Sequence, residues 1–282
     1  MTPQKDKTSS LLLLLGSMAI FGAIGLVRRL IPLPSSVIAM VRGLVGGGAL
    51  LLLLLARRER LDLRSLGSEA PWLLLSGALL GFNWILLFEA FRFTSVAVAT
   101  LCYYMAPIMV VLVSPVLFHE RVTAKKGVCV LLALVGMLLV SGVLKGVLFA
   151  LCAAVLYAGI VLTNKKLTRT DGLRRTVIQL LAAGIVLVPY VLATEDLTSL
   201  AWTPSTAGML LVAGLVFTAL TYSMYFTAIP GLRAQTVALG SYIDPVVAVL
   251  ISALFLREPM GPAEWIGAVL ILGATAVSTL EK

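Results

Sequence analysis

Residues 94–120 read TSVAVATLCYYMAPIMVVLVSPVLFHE, and residues 233–258 read RAQTVALGSYIDPVVAVLISALFLRE. A shift of 138 residues aligns the two stretches without a gap. Four landmarks coincide in this alignment: Tyr104 with Tyr242, Pro107 with Pro245, Ser114 with Ser252, and Glu120 with Glu258. Apolar matches arise easily in so apolar a chain, whereas a shared Tyr-x-x-Pro with a later Glu does not. The sequence therefore indicates an internal duplication.

The composition places both copies in a lipid bilayer. Of the 282 residues, 60% are apolar and 12% are charged, and the mean hydropathy is +1.05. Soluble globular proteins have roughly 45–50% apolar and about 25% charged residues. These values exclude a soluble enzyme, a disordered chain, a collagen and a coiled coil. Because one membrane-spanning helix needs about 20 apolar residues, the chain has room for ten helices joined by short loops.

Ten apolar runs predict an all-α membrane protein. They lie near residues 11–27, 37–55, 72–91, 96–117, 127–144, 146–163, 177–193, 206–226, 234–256 and 263–280. Each half holds five spans, and because five is odd, the copies cross the membrane in opposite directions. We therefore predict ten transmembrane helices as two inverted five-helix repeats, over residues 10–141 and 146–279.

The charge distribution predicts an orientation and excludes one class of partner. The net charge is +9, and sixteen of the 22 basic residues fall on loops predicted to share one side. Lys and Arg collect on cytoplasmic loops, so both termini are expected in the cytoplasm, with the protein in the inner or plasma membrane. The basic residues are not interleaved with aromatic residues, as a nucleic-acid groove requires. The predicted partners are therefore the lipid bilayer and a small molecule, with no nucleic acid.

The two Pro-centred segments quoted above, each ending in Glu, resemble the EamA-type proteins of the drug/metabolite transporter superfamily. The resemblance covers nearly the whole chain. It implies ten helices and secondary transport of small metabolites, commonly the export of amino acids or related compounds. The stretch LGSYIDP is also similar to a helix of aromatic amino acid exporters, but it is too short to assign a substrate.

Charged residues inside the spans are the first candidates for a substrate site. A charge at a helix centre costs roughly 2.5 to 3.5 kcal/mol on insertion scales, so each one needs a reason. Asp244 is too deep in its span for a short side chain to reach water, and we expect it to bind substrate or a proton. Arg42 and Glu89 are shallower candidates, because Arg42 can snorkel outward and Glu89 can pair with Arg92.

Polar and aromatic residues near these charges complete the predicted substrate site. They are Asn83, Trp84, Tyr104, Tyr157, Gln179, Tyr222, Ser241 and Tyr242. Pro107 and Pro245 are predicted to kink their helices, because proline lacks an N–H and clashes with the preceding turn. The carbonyl groups freed in this way are expected to line a cavity.

Other features have structural interpretations. Gly43 with Gly47, and Gly77 with Gly81, have the spacing at which small residues let membrane helices pack closely. Glu120 and Glu258 are expected to cap a following helix or to pair with the neighbouring Arg121 or Arg257.

The sequence offers little support for other functions. With a single histidine, His119, and no Gly-x-Ser-x-Gly elbow or phosphate-binding loop, we expect neither a catalytic site nor a metal or other cofactor. A channel fits the inverted repeats less well than a carrier does. Asp244 with Arg42 would suit a zwitterionic substrate, whereas Asp244 with Glu89 and aromatic walls would suit an organic cation. Direction, proton coupling and oligomeric state stay open.

Overall fold

The computed structural model describes residues 7–59, 63–118, 123–140, 143–167 and 170–280, and these residues form helices and connections without a strand. Fourteen α-helices are present in this part of the chain: α1 (Lys7–Gly22), α2 (Ile24–Leu30), α3 (Ser35–Ala56), α4 (Ala70–Phe93), α5 (Val96–Tyr103), α6 (Ala106–Phe118), α7 (Ala124–Leu139), α8 (Leu144–Asn164), α9 (Gly172–Thr194), α10 (Pro204–Gly214), α11 (Thr221–Ala228), α12 (Ala234–Gly240), α13 (Ile243–Leu254) and α14 (Pro262–Leu280). Short 3-10 segments cover Leu63–Glu69 and Ile229–Gly231, and a π-helical segment, Leu215–Leu220, joins α10 to α11.

The fourteen helices combine into ten spans because four spans are interrupted. Span 1 is α1 with α2, span 4 is α5 with α6, span 8 is α10 with α11, and span 9 is α12 with α13. The remaining spans are single helices. Nine spans lie close to their predicted limits, but the predicted end of the fifth at residue 144 is wrong, since α7 ends at Leu139 and residue 144 begins α8.

The bundle has the polarity of a membrane protein. Within the described residues, nine helices are long and apolar enough to cross a membrane, and α7 adds a shorter one of 16 residues. Leu138, Leu254 and Val269 are among the large apolar side chains that point outward, at 82%, 68% and 71% exposure. Several buried positions, in turn, hold polar groups, such as Asn83 and Arg42. Helices suit this environment because they satisfy their backbone hydrogen bonds internally.

The contacts between spans follow the duplication. Spans 3 and 4 of the first repeat pack on span 6 of the second. In the symmetric arrangement, spans 8 and 9 of the second repeat pack on span 1 of the first. Spans 2 and 7 pack on each other, as do spans 5 and 10 and spans 4 and 9. The fold is therefore the predicted pair of inverted five-helix repeats, related by a pseudo-twofold axis.

Glycines set the closest helix contacts at the centre of the bundle. A Cβ added to Gly43 would lie 2.8 Å from the backbone nitrogen of Gly184, and one added to Gly77 would lie 2.8 Å from the carbonyl oxygen of Gln179. Both glycines thus face α9, as do Gly47 and Gly81. Small residues at these positions hold spans 2, 3 and 7 together, which is the packing role that the sequence predicted.

Contacts at the helix ends define the two faces of the bundle. On the terminal face, where α1 begins and α14 ends, Arg174 at the start of span 7 pairs with Glu59 after span 2, at 3.5 Å. On the opposite, distal face, the Ser36 hydroxyl at the start of span 2 donates a 2.5 Å hydrogen bond to Glu195 after span 7. Span 1 ends on this distal face, and span 4 begins there.

Candidate functional site

A cavity of about 730 Å³ lies between the two repeats. It is lined by residues from both copies, and most of its wall is apolar or aromatic. Toward the terminal face it reaches Lys165 and Thr279, which are exposed, so the cavity opens to that side. Toward the distal face its lining residues include Thr100, Ala248 and Phe91, which are 6%, 3% and 2% exposed. Phe91, near the end of α4, also lines a separate cleft on the distal face.

Breaks in spans 4 and 9 bring polar groups to the cavity wall. Helix α5 ends at Tyr103 and α6 begins at Ala106, just before Pro107. In the other repeat α12 ends at Gly240 and α13 begins at Ile243, just before Pro245. Proline cannot donate to the carbonyl four residues earlier, so each break frees backbone acceptors inside the bundle. Pro107 lines the cavity, whereas Pro245 is buried behind it.

The carboxylate of Asp244 lies at the break in span 9. Its Oδ2 accepts a 2.8 Å hydrogen bond from the Tyr104 hydroxyl, and its Oδ1 has no hydrogen-bond partner among the described residues. The Tyr104 hydroxyl also lies 3.5 Å from the Ser241 carbonyl, which has no donor four residues on because of Pro245 and accepts a 3.4 Å hydrogen bond from the N–H of Asp244. In the duplicated sequence the counterpart of Asp244 is Ala106, so the cavity has this carboxylate on one side only.

The guanidinium of Arg42 supplies the opposite charge. It is 5% exposed, and its Nε donates a 2.8 Å hydrogen bond to the Thr218 hydroxyl. Its Nη2 lies 3.3 Å from the carbonyl oxygen of Phe217, in the π-helical segment that interrupts span 8. The guanidinium also stacks over Trp84, 4.2 Å from the ring centroid. No carboxylate among the described residues pairs with Arg42, and its Nη1 is without a hydrogen-bond partner there.

Aromatic rings form much of the remaining wall. Of the seven tyrosines in the chain, six line the cavity: Tyr103, Tyr104, Tyr157, Tyr222, Tyr225 and Tyr242. Neighbouring rings contact one another, as in the pair Tyr103 and Tyr157, whose centroids are 5.4 Å apart, and the pair Phe21 and Tyr222 at 5.0 Å. Such rings bind apolar groups through their faces and cations through the quadrupole of the π-system.

Three of the residues predicted for the substrate site lie outside the cavity wall. Asn83 donates a 2.7 Å hydrogen bond to the Ala153 carbonyl, which ties span 3 to span 6. Gln179 donates to the Ser76 hydroxyl and, at 2.7 Å, to Asn164. Glu89 pairs with Arg92 at 3.0 Å in a separate cleft on the distal face. Asn83 and Gln179 therefore tie neighbouring spans together, and Glu89 forms an ion pair outside the cavity.

The site also includes residues that the sequence did not point to. Phe21, Tyr103, Tyr225 and Thr218 either line the cavity or hold Arg42. Tyr103 directly precedes Tyr104, but in a helix adjacent residues point in different directions, and the break after Tyr103 brings both rings inward. Nothing in the sequence marked Thr218 as a site residue, because a lone threonine in an apolar span usually hydrogen-bonds to its own helix.

Glu258 departs from its predicted pairing. Its carboxylate pairs with Arg29 at 2.5 Å instead of with the adjacent Arg257, and it accepts a 2.8 Å hydrogen bond from the N–H of Val96. It therefore caps a helix of the other repeat, and not the helix that follows it. Glu120, Arg121 and His119 lie outside the described residues. The described residues include no group of three or more His, Cys, Asp or Glu side chains that could hold a metal ion.

Comparisons with known proteins identify the family and the fold. The EamA-like transporter family matches the chain twice, over residues 8–142 and 144–280. An uncharacterized transporter of Bacillus subtilis (strain 168), YxxF, is 25% identical over 288 residues, covering 99% of this chain and 92% of the relative. A protein of known crystal structure shares the fold with a TM-score of 0.66 at 21% identity, covering 98% of this chain and 99% of the other. The resemblance inferred from the Pro-centred segments is thereby confirmed.

Proposed function

We propose that this chain, which belongs to the EamA-like transporter family, is a secondary carrier. It would export a small polar metabolite such as an amino acid or a related amine. Export by alternating access would carry the solute from the terminal face, proposed to be cytoplasmic, to the distal face. The membrane is proposed to be the cell membrane, with both termini on its cytoplasmic side. An aromatic cavity between inverted repeats is where such carriers hold their substrates.

The pair of unsatisfied charged atoms in the cavity carries this proposal. Among the described residues, Oδ1 of Asp244 and Nη1 of Arg42 have no hydrogen-bond partner, and both side chains line one cavity. An amino acid has an ammonium group, which would bind the Asp244 carboxylate, and a carboxylate, which would bind the Arg42 guanidinium. A charge-assisted hydrogen bond contributes about 1.5 to 3 kcal/mol, so two of them would discriminate well between solutes.

An organic cation is the second candidate. Arg42 already has two hydrogen bonds and the face of Trp84, so its charge is partly satisfied without a ligand. Asp244 among six tyrosines would then be the main polar contact for a quaternary or aromatic amine. The two candidates differ in one respect only, which is whether the substrate needs a carboxylate.

The open end of the cavity favours a carrier over a channel or an enzyme. In this structure the cavity opens toward the terminal face, and Thr100 and Ala248, which line it toward the distal face, are 6% and 3% exposed. A cavity open to one face is expected of a carrier that exposes its site to each side in turn. Asp244 is also the carboxylate at which a coupling proton would bind if transport is proton-driven.

Binding of three matched compounds tests the proposal. Purified protein is titrated with an amino acid, with its decarboxylated amine and with its deaminated acid, and the melting temperature is followed, because a ligand that binds only the native state stabilises it. We expect the amino acid to bind at least about tenfold more tightly than either analogue. Equal binding of the amine would favour the organic-cation alternative.

Transport of the best ligand completes the test. In proteoliposomes, uptake of the labelled solute should saturate and should be accelerated by unlabelled solute on the opposite side, because a loaded site reorients. Flux that is linear in concentration would favour a channel, and chemical conversion of the solute would favour an enzyme.

A further inference from the structure

Along spans 4 and 9, the last residues that line the cavity lie one helical turn short of a contact between the two spans. Thr100 on α5 and Ala248 on α13 line the cavity, whereas Val96 and Ser252, four residues away on the same helices, do not. At that level the two helices are joined, since the Ser252 hydroxyl accepts a 3.2 Å hydrogen bond from the N–H of Ala97. Spans 4 and 9, which belong to different repeats, therefore meet at this closure.

Glu258 is the centre of the closure. Its Oε2 accepts hydrogen bonds from the N–H of Val96 at 2.8 Å and from the Ser252 hydroxyl at 2.5 Å, while its Oε1 pairs with Arg29 at 2.5 Å. Arg29 also donates a 3.0 Å hydrogen bond to the carbonyl of Thr94. One carboxylate thus links the end of span 1, the start of span 4 and the end of span 9. It is 17% exposed, so this ion pair is less screened than one in open water.

The chain after α13 is bent to bring Glu258 to this position. Arg257 has a φ of 55°, in the left-handed region that residues with a side chain rarely adopt, and the Glu258 N–H returns to the Ser252 carbonyl at 2.9 Å. Such conformations persist where the surrounding contacts determine them, and they are common at switch regions. The Val96 N–H belongs to the first turn of α5, where the helix dipole also favours a carboxylate.

A second contact on the same face has a different setting. Ser36 and Glu195 link spans 2 and 7, which are already held together by Gly43 and Gly184 in the middle of the bundle. Neither residue lines the cavity. The Ser36–Glu195 contact therefore joins two spans that can stay packed when the cavity opens. Glu258, in contrast, joins helices that must separate if the cavity is to open toward the distal face.

We propose that Glu258 is the latch of the distal gate, and that release of its carboxylate from Arg29 and Val96 opens the cavity toward the distal face. The latch rests on the proposed function in one respect, since only a carrier that alternates between faces needs it. It assigns a conformational role to a residue that is outside the substrate cavity.

Cysteine accessibility from the two faces tests the latch. A cysteine replaces Thr100, which lines the cavity below the gate, in a background where Cys102, Cys129 and Cys152 are alanine. A membrane-impermeant thiol reagent is applied to each side of proteoliposomes. Glu258→Gln keeps the shape of the side chain but removes the charge that holds Arg29. We expect it to accelerate distal labelling of the Thr100→Cys protein about tenfold, equivalent to about 1.4 kcal/mol.

Matched variants separate a latch from general loosening. Glu195→Gln, the same change on the same face, should leave distal labelling at its parent rate. A reporter cysteine at Ser278, near the terminal mouth of the cavity, should label more slowly in Glu258→Gln, because opening one face closes the other. Faster labelling at both reporters, equal acceleration by Glu195→Gln, or no acceleration at all would overturn the latch. Arg29→Gln should also accelerate distal labelling at Thr100→Cys and slow labelling at Ser278→Cys. If Glu258→Gln does not fold, the result for Arg29→Gln tests the latch by itself.

The labelling needs no substrate, so it is independent of the transport test. A latch that responds as expected in a protein that moves no solute would contradict the proposed function and support the gate. If the protein transports solute and Glu258→Gln leaves the rate of distal labelling unchanged, only the latch is contradicted.

Discussion

The Tyr104 hydroxyl donates a 2.8 Å hydrogen bond to the Asp244 carboxylate, so the breaks in spans 4 and 9 are joined across the two repeats. The counterpart of Tyr104 is Tyr242, whose hydroxyl instead lies 3.3 Å from that of Thr279 on α14. The pseudo-symmetry of the backbone is therefore lost at the site, where one tyrosine orients the acidic group and the other faces span 10.

Tyr104→Phe should weaken substrate binding without unfolding the protein. The change removes one hydrogen bond to the carboxylate, which is worth about 1.5 kcal/mol or more, so the dissociation constant of an amine or amino acid should rise about tenfold. Titration by thermal shift measures it. Tyr242→Phe is the matched control and should change the dissociation constant less than threefold; equal effects from both variants would contradict an orienting role for Tyr104.

Asp244→Asn should abolish transport in a protein that still folds. Asparagine keeps the size of the side chain and can still accept a hydrogen bond from Tyr104, but it cannot neutralise an ammonium group or bind a coupling proton. Transport is measured between pH 5 and 9 with a monodispersity control, and any pH response due to this carboxylate should disappear. Glu89→Gln, on the distal face, should transport normally; normal transport by Asp244→Asn would remove Asp244 from the ionic mechanism.

Arg42→Gln should change selectivity more than stability. Glutamine is uncharged but keeps an N–H that can donate to the Thr218 hydroxyl, and the other repeat has Gln179 within one residue of the position that the 138-residue shift assigns to Arg42. Without the guanidinium, an amino acid should lose about 1.5 to 3 kcal/mol of binding, while its decarboxylated amine should lose little. Competition binding of the two compounds measures the ratio. An unchanged ratio would indicate that Arg42 serves the structure of span 8 and does not contact a carboxylate.

Gly22→Ala should destabilise the protein at the break in span 1. A Cβ at this position would lie 2.9 Å from the Cβ of Val247 and would overlap the carbonyl oxygen of Asp244, so α13 would have to shift. Overpacking of this kind typically costs about 1 to 3 kcal/mol, which thermal unfolding detects. Gly48→Ala meets no atom within 4 Å and should be neutral or slightly stabilising; a similar loss in both variants would refute the steric explanation.

The two faces of the bundle should be accessible from opposite sides of the membrane. Single cysteines at Arg57 and Asp196, in the cysteine-free background, should react with an impermeant reagent from the cytoplasm and from outside, respectively. The expectation follows from the excess of Lys and Arg on the terminal face. Reaction of both cysteines from one side would contradict the ten-span topology.

The sequence determined much of the architecture because lipid imposes simple rules on it. Spans must be long and apolar, so hydropathy located them, and an odd number of spans in each copy made the repeat inverted. The fifth span was misplaced because the apolar run continues through its loop into α8, and hydropathy gives no boundary there. Asp244 was identified from its depth alone, since a charge in a span needs a polar partner.

Only the tertiary structure decided which polar groups meet. Span surfaces that face lipid and those that face other spans are both apolar, so the sequence does not show how each helix is rotated. Asn83 and Gln179 therefore looked equivalent to Trp84, although packing turns them away from the cavity and toward neighbouring spans. Likewise Glu258 has an arginine beside it in sequence, yet it pairs with Arg29, 229 residues away, because the repeats bring the ends of spans 1 and 9 together.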